Sequence, residues 1–325
     1  MAAYKGEKYI LEQLKSIEEQ TIMPDEVVIV DDCSPDRTVQ IVKEYASKSK
    51  LNIKIFENES NLGFRKNFEK ATSLCRNEVI FFCDQDDVWK KNKVEVFLRE
   101  FQQNDDLVYA FSDAEVSDEK LNVFSESIWE LFGVKWNEMS KQEFFDKVQS
   151  RYFPLGFSVA VKKKFLEKIV PFQIDHDGWT ALCAPTFGDV KAICEKMVCY
   201  RRHSTATSSA AKVEKKSKID LINNIFKKTY REYWIWPDCE YESYSFINTC
   251  IKENKANIDN KKLLDHLEYL RVINYIKDRN LFSRIWSLLK LYRQGLFAEY
   301  RGGRNTLLVD CTFMIVNSFK KKSKR

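Results

Sequence analysis

Three carboxylates within four residues, Asp84-Gln85-Asp86-Asp87, follow directly on the apolar run Phe81-Phe82-Cys83 and are closed by Val88-Trp89. Such an apolar run reads as a buried strand, and parallel strands present ligand groups at their carboxyl edge. Alternate carboxylates at Asp84 and Asp86 suit one hard divalent cation, which takes oxygen ligands and keeps waters that a substrate phosphate can replace. Without a cation, acids this close repel one another and a pKa must shift. Further acids fall at comparable places. Asp31-Asp32 ends the run Val28-Ile29-Val30, Asp113 follows Leu107–Ser112, and Asp175-His176-Asp177-Gly178-Trp179 stands farther along the chain. A single Asp at such a point is as often a turn or cap residue, and Ser34-Pro35-Asp36 after Asp31-Asp32 is itself turn chemistry. Three carboxylates together exceed what a cap requires.

The elements that must hold these acids follow from periodicity. Glu26–Asp31, Asn52–Glu57, Glu78–Cys83 and Leu107–Ser112 read as strands, being β-branched, aromatic or alternating runs. Helical spacing relates Ile10, Leu11, Leu14 and Ile17, then Val39, Ile41, Val42 and Tyr45, then Phe64, Phe68, Ala71 and Cys75. Ser34-Pro35-Asp36 supplies a cap, a first-position proline and a first-turn acid for the second helix. Alternation of this kind predicts an α/β domain with a parallel sheet covered on both faces. The stretch from Asp113 to His203 is less regular, Ser204–Ala211 reads as a linker, and basic helical patterns follow.

Bulk composition narrows the class. The 325 residues suit about two domains; a net charge of +5 makes no case for nucleic acid, and a charged fraction of 31% is ordinary for a globular protein. The nine cysteines include no Cys-x-x-Cys pair, so neither zinc spacing nor a thioredoxin motif is present. Cys75, Cys83 and Cys194 fall in apolar patterns, where a free thiol acts as a small hydrophobe. With no leader-like start and no run of about 20 apolar residues, the expected compartment is reducing and cytoplasmic.

Taken in order, Ala2-Ala3-Tyr4-Lys5-Gly6-Glu7-Lys8-Tyr9, Gln20-Thr21, Val28-Ile29-Val30-Asp31-Asp32-Cys33-Ser34, Asn61-Leu62-Gly63-Phe64, Asp84-Gln85-Asp86-Asp87-Val88-Trp89, Ser112-Asp113-Ala114-Glu115, Gly156-Phe157-Ser158, His176-Asp177-Gly178-Trp179 and Tyr200-Arg201-Arg202-His203 resemble family 2 glycosyltransferases, in particular the bacterial polysaccharide branch with rhamnosyltransferase-like enzymes. The resemblance implies a GT-A fold, a Rossmann-like nucleotide-diphospho-sugar transferase domain over 1–205, followed by a mostly helical basic region over 206–325. It further implies a nucleotide-diphosphate sugar donor, Mn²⁺ or Mg²⁺, and inversion at the anomeric carbon. By position Tyr4, Asp31 and Asp32 would meet the nucleobase, Asp84 and Asp86 would form the DxD element for ribose and metal, and Asp113 would lie on the donor side. Asp177 matches the general base and His203 a group at the metal or diphosphate. Arg201 and Arg202 could add guanidinium forks for phosphate oxygens.

Some positions depart from the family pattern. Met1 falls inside what should be the first strand, so a central strand is expected to be short or absent, or the start to lie upstream; Lys5 stands where Asn is more usual, and Gly178 where a bulkier residue is. Apolar strand plus Asp84-x-Asp86 also fits the nucleophile loop of haloacid-dehalogenase-like phosphatases, although that loop normally stands on a first strand. An inactive sugar-nucleotide-binding or assembly protein is the non-catalytic alternative. Toward the C-terminus Leu281, Ile285, Leu288, Leu289 and Tyr292 share a helical face, with Arg284, Lys290 and Arg293 around it and Arg301, Arg304 and Lys320–Arg325 beyond. A helical appendage packed on the catalytic domain accounts for this pattern, and a basic amphipathic helix also suits the inner face of a membrane, where a lipid-linked or polysaccharide acceptor would be met; the two are compatible.

Overall fold

A computed structural model describes residues 1–149, 154–203, 236–276 and 279–296. The expected linker at Ser204–Ala211, and Arg301, Arg304 and Lys320–Arg325, lie outside the described residues. The chain divides into two compact units, Met1–Ala211 and Lys212–Arg325.

The first unit alternates strand and helix: β1 (Ala2–Ala3), α1 (Ile10–Glu18), β2 (Val27–Asp31), α2 (Thr38–Ala46), β3 (Ile53–Glu57), α3 (Phe64–Leu74) and β4 (Val79–Phe81). Then come β5 (Val88–Trp89), α4 (Lys93–Gln103), β6 (Leu107–Ser117), β7 (Val123–Ser125), α5 (Ile128–Leu131), α6 (Lys141–Gln149), β8 (Val159–Lys162), α7 (Lys163–Ile169), α8 (His176–Phe187) and β9 (Asp189–Arg201). The four expected strands and three expected helices are present. The second helix starts later than expected, because Ser34 is held by Asp31 and the Asp36 carboxylate accepts from the Thr38 amide and hydroxyl.

Strands β1, β2 and β3 form a parallel three-stranded sheet. A second sheet runs β4-β8-β6-β9-β5 with β7 beside β6, and in it only β6 and β9 pair in parallel. The expectation of a wholly parallel sheet thus holds for the first half alone. The short first strand is real: it pairs through Ala2 and Ala3, and the Met1 ammonium donates to the Val28 carbonyl at 2.7 Å. Between the two sheets a cavity of about 180 Å³ is bordered by Met1, Val28, Ile80, Phe81 and Cys83.

Packing explains the pattern. Val28, Val30 and Ala71 bury one face of β2 against α3, and Val96, Phe97 and Phe101 of α4 lie on Leu107, Ala110 and Ala160. Each such side chain contributes roughly 1.5–3 kcal/mol on burial. The irregular middle resolves into β6 to β9, a core of aromatics in which Phe111 touches Trp129, Trp136 and Phe144. Trp89 and Trp179 are buried wedges, the latter donating its indole N–H to the Ile169 carbonyl. Cys33, Cys75, Cys83, Cys183, Cys194, Cys199 and Cys250 are free thiols; Cys83 is buried and Cys75 half-buried, but Cys194 is exposed, against expectation, on the outward side of β9.

The second unit contains α9 (Trp236–Glu253), α10 (Lys261–Ile276) and α11 (Leu281–Arg293). Ile247, Leu263, Leu270, Ile273, Leu288 and Leu291 form its interior. In α11 the buried face is centred on Leu288 and Leu291, whereas Leu289 and Tyr292, expected on the same side, face outward. No helix among the described residues is long and apolar enough to cross a membrane.

Candidate active site

The acidic loop joins β4 to β5, and its position is fixed from three directions. Strand β5 pairs with the end of β9, Val88 opposite Cys199 and Trp89 opposite Val198, which brings Arg201 and His203 alongside. The Arg201 backbone N–H donates to Asp87 Oδ1 at 3.0 Å, and its Nε donates to the Asp86 carbonyl at 2.8 Å. His203 Nε2 lies 2.9 Å from Asp86 Oδ2, with the Tyr9 ring 4.7 Å from the imidazole and tilted to it by 40°. From the other side Gln85 grips the first strand: its amide accepts from the Tyr4 N–H at 2.9 Å and donates to the Tyr4 carbonyl at 2.8 Å. That grip needs Gly6, since a Cβ there would come within 2.3 Å of Gln85 Oε1.

Behind the loop, Lys93 at the start of α4 is fully buried, donating to the Phe157 carbonyl at 2.7 Å and lying 4.1 Å over the Trp89 ring. Burial pulls its pKa down to about 7, opposed by the charges of Cys83, Asp87 and Asp84. The acids respond in the opposite sense. Burial, then the charges of Asp86 and Asp177, push Asp84 up to about 7, and burial with Asp86 and Asp84 holds Asp87 well above the ordinary range. Desolvation disfavours the charged form, and like charges add to it.

Asp177 stands in the first turn of α8. Its Oδ1 accepts from the Gly178 N–H at 2.8 Å. Burial pushes its pKa up to about 6, with the backbone N–H groups of Gly178 and Gly156 opposing the rise. The neighbouring His176 ties this turn to the acidic loop: its ring stacks 3.8 Å from Phe68 and meets Phe82 edge-on at 5.1 Å. Neither ring nitrogen has a hydrogen-bond partner, and burial lowers the pKa to about 3, so this histidine is a neutral packing piece. Gly156 permits the approach, because a Cβ there would sit 2.4 Å from His176 Nε2. Asp177 therefore lies near enough to the Asp84–Asp87 loop for its charge to be felt at Asp84.

The other expected residues separate into two groups. Tyr4 exposes its ring, with Lys5 Nζ 5.0 Å from it, at the mouth beside Gln85. Asp31 and Asp32 are buried, and both spend their carboxylates locally. Asp31 accepts from the Ser34 amide and hydroxyl, while Asp32 accepts from the Leu62 and Gly63 amides and from Asn58 Nδ2. This explains the Asn61-Leu62-Gly63-Phe64 run: Gly63, at φ 82°, turns the chain so that the start of α3 faces Asp32. Asp113 lies within β6 rather than beyond it, and its carboxylate accepts from Ser127 Oγ and the Ala114 and Trp129 amides. It anchors α5. Arg201 likewise is no open phosphate fork. Its guanidinium donates to the Asp86 and Glu119 carbonyls and pairs with Glu12, under the Tyr9 ring. Sequence reading missed Tyr9, Glu12, Glu119 and Lys93. The one available signal was Lys93 itself, a cation in register with the buried Val94, Val96 and Phe97.

Donor chemistry for a divalent cation is offered by the Asp86–His203 pair, an oxygen and a nitrogen 2.9 Å apart, beside the carboxylates of Asp84 and Asp87 whose mutual repulsion a cation would relieve. Among the described residues no three His, Cys, Asp or Glu are gathered closely enough to hold a metal on their own. Such an ion would draw its remaining ligands from substrate and water.

Comparison with known proteins agrees with this geometry. Residues 1–170 match the family model for glycosyl transferase family 2. A glycosyltransferase of Nostoc is 27% identical over 68% of this chain and 71% of its own length. Chondroitin synthase of Escherichia coli is 26% identical over 79% of this chain, which spans only 36% of that enzyme. In three dimensions the chain resembles Staphylococcus aureus TarS 1–349, solved in complex with UDP-GlcNAc, with a TM-score of 0.56 and 18% identity over 99% of this chain and 90% of the other. Asp84 lies beyond a complete strand–helix half with acids of its own, which is the wrong setting for a phosphatase nucleophile. The chain belongs to glycosyl transferase family 2 and has the GT-A fold of a glycosyltransferase.

Proposed function

We propose that this enzyme is an inverting, metal-dependent transferase that moves a sugar from a nucleotide-diphosphate donor to a growing cell-surface polysaccharide. The observation that carries the reading is the nearness of Asp177 to the Asp84–Asp87 loop, coupled by the His176–Phe82 contact and by charge. The donor diphosphate lies at Asp84, Asp86 and His203, with Tyr4 at the nucleobase end. Asp31 and Asp32 shape the turns around the base through the amides they hold. Bound Mn²⁺ or Mg²⁺ would neutralise charge growing on the departing diphosphate. Asp177 takes the proton of the acceptor hydroxyl as that oxygen attacks the anomeric carbon from the opposite face. A base of this kind is worth about 10²–10⁴-fold. With a pKa raised to about 6, Asp177 is ionised at neutral pH yet basic enough to share the proton in the transition state. Direct displacement leaves the anomeric configuration inverted and needs no covalent enzyme intermediate.

Residues 1–205 would form the catalytic domain and 206–325 a helical accessory region, with the enzyme working in the cytoplasm at the inner face of the cell membrane. Support for a polysaccharide acceptor comes from the relatives: one is named a chondroitin synthase, another a poly(ribitol-phosphate) β-N-acetylglucosaminyltransferase. The test is a panel of nucleotide sugars assayed for donor hydrolysis with and without Mn²⁺. Metal-dependent release of nucleoside diphosphate from one donor is expected, and loss of that release in Asp86→Ala. No hydrolysis of any donor, with nucleotide binding retained, would leave an inactive sugar-nucleotide-binding protein.

A further inference from the structure

Helix α11 is apolar on two faces. Leu288 and Leu291 are buried in the second unit, as a helix of a small bundle requires. Opposite them Phe282, Trp286 and Leu289 are 80%, 59% and 40% exposed, spaced by four and then three residues so that they form one stripe. Large apolar side chains gathered outside a soluble unit mark an interaction surface.

The rim says what covers it. From Arg279 to Arg293 there are four cations, Arg279, Arg284, Lys290 and Arg293, and no acid. Arg279, Lys290 and Arg293 are exposed, one before the helix and two in its last turn, with the stripe between them. The apolar surface also continues onto α10 through Tyr275, 54% exposed, whose ring carries the Arg279 guanidinium at 4.2 Å. Between the two helices, Tyr275, Trp286 and Lys290 border a groove of about 330 Å³, at the edge of which Arg271 is paired with Glu268, so the cations left for an anionic surface are those of α11 and Arg279.

We infer that the Phe282–Trp286–Leu289 face of α11 is a docking surface for an anionic lipid bilayer. It rests on the membrane-side location proposed above for its purpose, and on the second unit alone for its physics. Aromatic rings with one apolar and one polar end settle at the headgroup level. Juxtaposed Lys and Arg add about 1 kcal/mol each near an anionic surface. A second copy of the chain is the poorer occupant, since a two-fold pairing through this stripe would bring the cations of one rim toward those of the other.

Cosedimentation of the full chain with vesicles decides the matter. One set contains phosphatidylcholine alone, the other phosphatidylcholine with phosphatidylglycerol, each at low and high salt. Binding to the anionic vesicles only, released by salt, is expected. Phe282→Ser with Trp286→Ser, and separately Lys290→Glu with Arg293→Glu, should each lower partitioning by about tenfold or more. UDP affinity, which reports the catalytic unit, should stay unchanged, so failure here and failure of the transferase reading are told apart. Equal partitioning on both vesicle types, or partitioning indifferent to both double variants, overturns the inference. So does absence of vesicle binding together with self-association that Phe282→Ser and Trp286→Ser abolish, which would make the face a contact between copies.

Discussion

Asp31-Asp32 at the end of β2 and Asp84-Gln85-Asp86-Asp87 after β4 share residue type and place, yet their surroundings differ. The first pair is buried with its carboxylates saturated by amides of the turns they organise. In the second cluster Asp87 Oδ2 is buried without a partner, and Asp84 and Asp87 are pushed toward the neutral form. A carboxylate fed by backbone N–H groups is a structural device. One that is only partly satisfied, as Asp87 is with Oδ1 on the Arg201 amide and Oδ2 on nothing, retains acceptor capacity that the fold itself does not use.

Four experiments break or sharpen that contrast. The largest effect is expected from Asp177→Asn, which should lower sugar transfer by about 10²–10⁴-fold while donor affinity measured by titration calorimetry stays within a factor of two or so. Normal transfer in that variant would remove the base assignment. Next, Asp86→Ala should weaken Mn²⁺-linked binding of the donor's nucleoside diphosphate by about 10–100-fold with little loss of melting temperature. Asp32→Ala should do the reverse, costing about 2–4 kcal/mol of unfolding free energy through its stranded amides. If Asp86→Ala were the less stable of the two, the division into structural and ligand-directed acids would be wrong.

A smaller effect concerns pH. Asp177 must be ionised to accept a proton, and its pKa stands at about 6. Transfer under donor-saturating conditions should therefore rise about tenfold per unit below that value and level off above it. The smallest is on stability without metal. Because Asp84 holds its proton more tightly folded than unfolded, its contribution is fully present below the ordinary carboxylate range and is lost as pH rises through about 7. The metal-free protein should melt a few degrees lower at pH 8 than at pH 5, and Asp84→Asn should flatten that slope. Partial exposure of Asp84 limits the effect to about 1 kcal/mol.

What could be read from the sequence was local. An apolar run breaking into Asp84-Gln85-Asp86-Asp87, and the ordered motifs around it, located β2 and β4 and the acidic loop because each depends on neighbours a few residues away. The surroundings of Asp113 and Arg201 were not legible, for the opposite reason. The partners of Asp113 are Ser127 and Trp129, and those of Arg201 include Glu119 and Glu12, brought near only when β6, β9 and α1 assemble. The late start of α2 has the same origin in miniature: the Ser34-Pro35-Asp36 signal was sound turn chemistry, but Asp31 had already claimed the serine. In α11 the period was correct and the phase was not, since outward Phe282 and Trp286 are as apolar as inward Leu288 and Leu291.

Gln85 lies between two acids of the loop and gives both ends of its amide to the backbone of Tyr4. Whatever shifts the Tyr4 turn must therefore drag the cation loop with it. In the proposed transferase, occupancy at the base end and occupancy at the ion end are then thermodynamically linked, and by reciprocity each should change the affinity for the other by one common factor. The donor's nucleoside alone, which carries no phosphate to touch the ion, would change Mn²⁺ affinity by that factor, and Gln85→Ala would set it to one.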